Sequence, residues 1–241
     1  QSTNTRALEL AAQGAAEGVI VLAHQQLAGR GRQGRVWHSP PGAGIYASFL
    51  LRPAATDIAN IPTITLATGV AVSSAIEAVC GVQVGLKWVN DLIVDGRKLG
   101  GILCEMASHG DQPALVVGIG INICHKEADL PDDIRDKIQW LERLAPEPVD
   151  RNRLLSCLAL NLENVYQQLL SEGPAQLLAQ WRRRSVTLGQ HVQAISGNLK
   201  VEGTAIDIKD SGALLLQLED GTRAEINAGE VSIRMASGKY C

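Results

Sequence analysis

Cysteine is scarce in this sequence, and the arrangement of the few cysteines disfavours two kinds of structural cross-link. The 241 residues include five cysteines, an odd number, and none of them forms a C-x-x-C pair. The five histidines also lack the spacing of metal ligands. A disulfide scaffold and a zinc site are therefore both disfavoured, and a reducing compartment, the cytoplasm, is the expected location.

The chain also lacks a large excess of either charge. Its 22 lysines and arginines are nearly balanced by 25 acidic residues, giving a formal net charge of −3, which argues against a general nucleic-acid binder. We expect no membrane span and see no signal peptide. Because the chain begins with Gln1 rather than Met, we expect further residues upstream.

Positive charge is instead concentrated in two short stretches, 30–35 and 181–184, which suit a small anionic ligand better than a duplex. In GRGRQGR at 29–35, three arginines alternate with three glycines. Glycine lets backbone N–H groups approach an anion closely, and arginine adds a permanent charge that matches phosphate or carboxylate oxygens. A flexible basic surface loop is an equally open alternative. We see no protein partner for these arginines, so we expect the loop to be mobile without a ligand.

The same loop matches the dinucleotide fingerprint G-x-G-x-x-G, but its context excludes that function. The fingerprint requires a helix that opens directly after the loop, with its N-terminus aimed at the pyrophosphate. Here the loop is followed by VWHSPPG at 36–42. Two prolines and a glycine cannot begin a long amphipathic helix, so the Rossmann interpretation fails.

The hydrophobic pattern predicts two domains, 1–187 and 188–241. The first alternates strands with helices, including one over 62–79 and a long one capped by Asp150, which is typical of an α+β fold. The second consists of five short β segments between Gly-rich turns, which predicts a small barrel.

Two polar motifs lie near the predicted edges of these elements. STN at 2–4 precedes a helix, and a simple N-cap formed by Thr3 or Asn4 is the leading alternative to ligand binding. In KWVND at 87–91, strand periodicity would place Lys87 and Asp91 on one face, either as a surface ion pair or to hold phosphate and Mg²⁺.

Two glycine-containing strands complete the candidate site. KLGGILCE at 98–105 places Lys98 beside paired glycines, which usually mark a bulge or the close approach of a ligand, and a lysine there requires an anion. GIGIN at 118–122 ends in Asn122, whose amide can bind adenine, although turn chemistry explains it equally well. We predict a site for a carboxylate and a nucleotide, with Trp37 and Trp140 as lids.

In their order and spacing, these motifs resemble the biotin–protein ligase family, over nearly the whole chain. KWVND departs from the family's usual KWPND by having Val89 in place of proline. The matching stretches are STN at 2–4, QQLAGRGRQGRVWHSP at 25–40, KWVND at 87–91, KLGGIL at 98–103 and GIGIN at 118–122.

The resemblance implies a mixed-sheet catalytic domain like that of class II aminoacyl-tRNA synthetases, followed by an SH3-like barrel. It implies that biotin and MgATP form biotinyl-5′-AMP, from which biotin passes to a lysine of a biotin carboxyl carrier domain. A lipoate–protein ligase is the alternative. A DNA-binding repressor function would require a helix-turn-helix upstream of Gln1. No membrane partner is expected, and a homodimer stays open.

The resemblance also implies roles for individual residues. Catalytic roles fall to Lys98, Arg32, Lys87 and Asp91, with Asp91 as the Mg²⁺ ligand. The biotin-binding residues would be Ser2, Thr3, Asn4, Gln26, Arg30, Gly31, Arg32, Lys98 and Gly101. The nucleotide-binding residues would be Arg35, Trp37, Asn122 and Trp140.

Overall fold

A computed structural model of the protein describes residues 1–54, 61–109, 112–125, 130–197, 199–228 and 232–235. Its helices are α1 (Thr3–Ala12), α2 (Ile61–Cys80), α3 (Asp132–Arg135), α4 (Arg151–Glu172) and α5 (Ala175–Arg184). Its first six strands are β1 (Ile20–Ala23), β2 (Gly44–Leu51), β3 (Gly85–Lys87), β4 (Asp91–Val94), β5 (Arg97–His109) and β6 (Gln112–Asn122). The remaining strands are β7 (His191–Ser196), β8 (Leu199–Ile208), β9 (Leu214–Gln217), β10 (Arg223–Ile226) and β11 (Ser232–Met235).

The larger sheet has the strand order β1-β2-β6-β5-β4-β3, and neighbouring strands are antiparallel throughout. In the described parts of the chain, parallel pairing occurs only at the isolated bridges Leu86–Ser185 and Lys98–Ile138. The sheet is therefore more uniformly antiparallel than a mixed sheet, within the α+β class that the sequence predicts. The long pair β5–β6 lies at its centre and places both glycine motifs side by side.

One face of the sheet is covered by α2, which packs against α4 and α5 as well as β5. By length and composition, Thr63–Cys80 would be able to cross a membrane, which our sequence-based exclusion of a span overlooked. However, 72% of this stretch is buried inside the protein. Its apolar side chains therefore build the core between the sheet and the helices.

The opposite face of the sheet is covered by α1, whose Ala7 and Ala11 pack on Leu50 and Val116. The residue that caps this helix is Ser2, whose side chain accepts a hydrogen bond from the backbone N–H of Thr5. The prediction that Thr3 or Asn4 caps the helix is therefore wrong. Both side chains are free of capping and lie within the first turn, which allows them to face the sheet.

Two strand predictions need correction. The apolar run Val19–Leu22 predicts a buried strand, but β1 lies at the edge where the sheet ends, and Ile20 and Leu22 are exposed. KWVND does not continue as a strand, because β3 ends at Lys87 and β4 begins at Asp91. Lys87 and Asp91 are nevertheless directly opposite each other across the hairpin, so they share a face for a different reason from strand periodicity.

The C-terminal part forms a five-stranded antiparallel sheet with the order β10-β9-β8-β7-β11, as expected for the small barrel. Within the basic run at 181–184, Arg182 links α5 to this part of the chain, whereas Arg184 contacts α2. Arg182 pairs with Asp207 at 2.7 Å, and Arg184 pairs with Glu77 at 3.7 Å. The expectation of an anion site at this run and the division at 187/188 both stay predictions.

Candidate active site

A cleft of about 1380 Å³ opens over β4, β5 and β6. This volume exceeds the roughly 300–1,000 Å³ of most small-molecule pockets, so the cleft has room for two substrates. Asn122 and Trp140 do not line it. The other thirteen predicted site residues do, namely Ser2, Thr3, Asn4, Gln26, Arg30, Gly31, Arg32, Arg35, Trp37, Lys87, Asp91, Lys98 and Gly101.

The start of α1 forms one end of the cleft through a buried polar network. Thr3 donates its backbone N–H to Gln26 Oε1 at 2.8 Å, and Gln26 Nε2 in turn donates to Ser39 Oγ at 2.9 Å. Ser48 Oγ lies 2.8 Å from Thr3 Oγ1 and 2.6 Å from Asn4 Oδ1. The network joins the helix to both ends of the glycine–arginine loop, so these residues are rigidly placed before any ligand arrives.

The side chain of Asn4 is held directly against the sheet. Its Nδ2 donates to the Leu103 carbonyl at 3.1 Å and to Glu105 Oε2 at 2.7 Å. A Cβ at Gly118 would lie 2.0 Å from Asn4 Oδ1. Gly118 is therefore required because Asn4 occupies the space of its missing side chain, and the Asn4 amide is used by the protein itself.

The glycine–arginine loop is a short hairpin, with Gly31 N–H donating to the Arg35 carbonyl at 2.7 Å. Arg30 pairs with Glu105 at 2.8 Å. Arg32 donates to Asn90 Oδ1 at 3.4 Å and to the Ala228 carbonyl. The expectation that these arginines lack protein partners is therefore wrong, because three distant segments converge on the loop.

Burial distinguishes Arg32 from the other loop arginines. It lowers the pKa of the Arg32 guanidinium, an effect that nearby Asp91 opposes and Arg35 reinforces. An arginine remains charged despite such a shift, since the ordinary pKa of a guanidinium lies far above neutral pH. Arg32 thus brings a partly desolvated positive charge to the same end of the cleft as Asp91, where an anionic ligand would be strongly attracted.

Lys98 and Asp91 form the electrostatic centre of the cleft. Lys98 Nζ lies 2.5 Å from Asp91 Oδ1, and both side chains are largely buried. The anion that a lysine at this position requires is thus supplied by the protein. Lys87, which is 5% exposed, lies opposite Asp91 in the hairpin. The group combines two cations with one carboxylate, which suits a polyphosphate and a divalent cation.

Trp37 lies over the glycine floor of the cleft. A Cβ at Gly120 would be 2.7 Å from the Trp37 ring, and Lys98 Nζ is 5.3 Å from the centroid of that ring. The indole Nε1 is buried and has no hydrogen-bond acceptor within the described residues. Trp88 and Trp181 are 3% and 1% exposed and pack in the hydrophobic core.

Asn122 and Trp140 lie beside the cleft rather than in its wall. Asn122 Nδ2 donates to the Gln139 carbonyl at 3.1 Å and to the Lys98 carbonyl at 3.3 Å. Trp140 contacts His125 edge-on, with ring centroids 6.1 Å apart, and burial lowers the pKa of that histidine. In this arrangement Asn122 holds the backbone of Lys98, so its predicted contact with adenine stays a prediction.

Sequence reasoning missed several residues of the site. The barrel contributes Gln193, Ile233 and Arg234 to the cleft wall, although the barrel had been assigned no part in it. Ser48 and Glu105 hold predicted ligand-binding residues from behind. Gly118 and Gly120, which also line the cleft, carried a signal, because glycines inside an apolar strand mark a bulge or the close approach of another group.

Comparison with known proteins identifies the family. Residues 1–122 match the model of the "Biotin/lipoate A/B protein ligase family", and residues 187–234 match that of the "Biotin protein ligase C terminal domain". The biotin--[acetyl-CoA-carboxylase] ligase of Mycobacterium tuberculosis is 37% identical, over 95% of this chain and 85% of that protein. The bifunctional ligase/repressor BirA of Bacillus subtilis is 36% identical, over 92% of this chain and 68% of that protein.

The solved structures agree with these matches. Biotin protein ligase from Aquifex aeolicus in complex with biotin and ATP superimposes with a TM-score of 0.85 and 29% identity, over 98% of this chain and 96% of that one. The likeness extends over both the larger sheet and the C-terminal part. From its motifs, its cleft and these matches, the chain belongs to the biotin/lipoate A/B protein ligase family.

Proposed function

We propose that this protein is a biotin–[biotin carboxyl-carrier protein] ligase, which activates biotin with ATP and transfers it to a carrier lysine. The observation that carries the proposal is the Lys98–Asp91 pair, which lies in one cleft with the α1 polar network and the glycine–arginine loop. A cleft with these parts can bind a carboxylic acid at one end and a nucleoside triphosphate at the other. The expected location is the cytoplasm.

In the first step, a biotin carboxylate oxygen attacks the α-phosphorus of ATP and pyrophosphate leaves. Two anions must approach each other, so the barrier is largely electrostatic. Lys98 would contact the carboxylate and the α-phosphate, exchanging Asp91 for these anions. Arg30, Gly31 and Arg32 would cover the adenylate, and Arg35 and Trp37 would contact the nucleotide.

At the biotin end, Ser2, Thr3 and Gln26 would bind the ureido group, with Asn4 holding the same wall of the cleft. Gly101 leaves space beside the Lys98 side chain, whose Nζ lies 3.4 Å from the position of a Cβ there. Trp140 would complete the nucleobase pocket next to Asn122. In the second step, the amine of the carrier lysine attacks the acyl carbon and AMP leaves.

Asp91 would hold Mg²⁺ together with the phosphates of ATP. Among the described residues, no cluster of three or more His, Cys, Asp or Glu side chains could hold a metal ion. A single carboxylate fits Mg²⁺, which is usually bound through one or two carboxylates and the substrate's own phosphates. The bound ion would neutralise charge on the departing pyrophosphate, while Lys87 would contact the same phosphates.

Biotin-dependent ATP–pyrophosphate exchange tests this function, with lipoate as the competing substrate. We expect rapid exchange with biotin and none above background with lipoate. Exchange with lipoate alone would assign the protein to lipoate ligation instead. Biotin transfer to a purified biotin carboxyl carrier domain would then test the second step.

Arg32→Gly should separate the two half-reactions. The substitution removes the contacts with Asn90 and Ala228 and adds backbone freedom to the loop. We expect that the adenylate still forms but escapes and labels exposed lysines of unrelated proteins. The measurement is biotin incorporation into a bystander protein, with equal amounts of wild type and variant.

Arg32→Ala is the matched control, because it removes the same contacts without glycine's backbone freedom. Bystander labelling by both variants would show that the Arg32 guanidinium retains the adenylate. Labelling by Arg32→Gly alone would show that the stiffness of the loop retains it. If Arg32→Gly simply loses adenylation, Arg32 serves the chemical step, and the proposal that it retains the adenylate is wrong.

A further inference from the structure

One carboxylate behind the cleft joins two of its walls. Glu105 lies on β5, and its Oε2 accepts hydrogen bonds from Arg30 NH2 at 2.8 Å and from Asn4 Nδ2 at 2.7 Å. Arg30 belongs to the glycine–arginine loop and Asn4 to α1, and both line the cleft. Glu105 itself is not among the described residues that line it. It therefore acts on any ligand only through these two neighbours.

The contact with Asn4 fixes the orientation of the amide. Glu105 and the Leu103 carbonyl can only accept hydrogen bonds, so the NH₂ group of Asn4 must face both of them. The amide oxygen then faces Ser48 and the space above Gly118. Replacing Glu105 by an apolar residue would remove one of the two acceptors that define this orientation.

The contact with Arg30 fastens the loop to a rigid strand. The Arg30 and Glu105 side chains are 43% and 25% exposed, so the ion pair contributes little to global stability. Its effect is local, because β5 is central to the sheet and the anchors at Asn90 and Ala228 hold the loop through Arg32 rather than through Arg30. Loss of the carboxylate would release the loop while leaving the core intact.

We propose that Glu105 is a positioning residue for the biotin end of the cleft, holding Arg30 and Asn4 in the arrangement that binds the acid substrate. The proposal rests on the proposed function and deepens it. It assigns Glu105 to substrate affinity and loop closure, and leaves the chemical step to Lys98 and its neighbours.

The kinetic test is Glu105→Ala in biotin-dependent pyrophosphate exchange. We expect the KM for biotin to rise by about tenfold, the order expected for a lost charge-assisted hydrogen bond, while kcat changes much less. Glu105→Gln keeps an acceptor for one neighbour and should recover part of the loss. Glu9→Ala is the matched control, because it breaks an exposed Arg–Glu pair of similar length on α1.

A double-mutant cycle with Arg30→Ala separates positioning from a structural role. If Glu105 acts through Arg30, the fold-increase in KM of the double variant should be well below the product of the fold-increases of the two single variants. Fully additive effects, or a KM of Glu105→Ala within twofold of wild type, would overturn the proposal. Equal losses in kcat and affinity would assign the residue to the chemistry instead and would also overturn it.

Limited trypsin digestion without any ligand gives a readout independent of the reaction. Cleavage after Arg30 should be roughly threefold faster or more in Glu105→Ala than in wild type or Glu9→Ala, because Arg30 has lost its anchor to β5. Unchanged cleavage would contradict the proposal that Glu105 holds the loop through Arg30, even if the protein ligates biotin. If the wild-type protein shows no biotin-dependent exchange, the proposed function is refuted. The digestion result then still tests whether Glu105 holds the loop.

Discussion

Lys98→Ala should abolish adenylate formation while the protein remains folded. Lys98 places a largely buried ammonium in the cleft, 2.5 Å from Asp91 Oδ1 and beside the Trp37 ring. Removing one preorganised donor to developing negative charge costs about 3 kcal/mol, or roughly 10²–10³-fold in rate. The measurement is biotin-dependent pyrophosphate exchange at saturating ATP, with thermal unfolding recorded on the same samples.

Lys200→Ala provides the control for Lys98→Ala. Lys200 is an exposed lysine of the barrel that pairs with Glu202 at 3.3 Å, so its loss tests the removal of a lysine ion pair away from the cleft. We expect near-normal exchange from this variant. Near-normal exchange from Lys98→Ala as well would refute the assignment of Lys98 to the chemical step.

Gly118→Ala should nearly eliminate biotin binding by adding a single methyl group. The new Cβ would lie 2.0 Å from Asn4 Oδ1, far inside contact distance, and Asn4 is buried with its amide fully engaged. Displacing a wall of the site by about 1 Å can lower a reaction rate about 10²-fold, and we expect a loss of the same order in biotin affinity. Overpacking also lowers the free energy of unfolding by about 1–3 kcal/mol. Biotin titration calorimetry would measure the first effect and denaturant unfolding the second.

Gly69→Ala is a matched control for this change. A Cβ at Gly69, in the middle of α2, would meet only Leu86 and Ile102 at 3.4 Å or more. Alanine is also the better helix former, so we expect unchanged biotin affinity and equal or greater stability. If Gly118→Ala also keeps wild-type affinity, Asn4 has no part in holding biotin.

Local patterns were sufficient to predict most of the fold. Apolar periodicity identified the long helix α2, and the Asp150 cap was confirmed by the hydrogen bond that its side chain accepts from Arg153 N–H. Asp95-Gly96 is a sequence typical of a hairpin turn, and both residues have positive φ. These features depend on residues close together in sequence. The cost of burying a lysine, also a local argument, correctly required an anion near Lys98.

Contacts between distant segments could not be predicted in this way. Glu105 joins residues 75 and 101 positions away in sequence, and Arg32 reaches a carbonyl 196 positions away. Neither Glu105 nor the Ala228 carbonyl is distinctive in the sequence, because any surface glutamate or backbone carbonyl could accept such a hydrogen bond. The same reason explains the wrong expectation that the loop arginines lack partners.

The position of Trp37 provides an optical reporter of ligand binding. Indole emission depends on the polarity around the ring and on nearby charge, and a ligand entering the cleft changes both for Trp37, which lies over Gly120 and beside Lys98. Trp181 is enclosed in the core and gives a constant background, whereas Trp88 is largely buried but also lines the cleft. The intrinsic fluorescence of the unlabelled protein should therefore follow occupation of the cleft in real time.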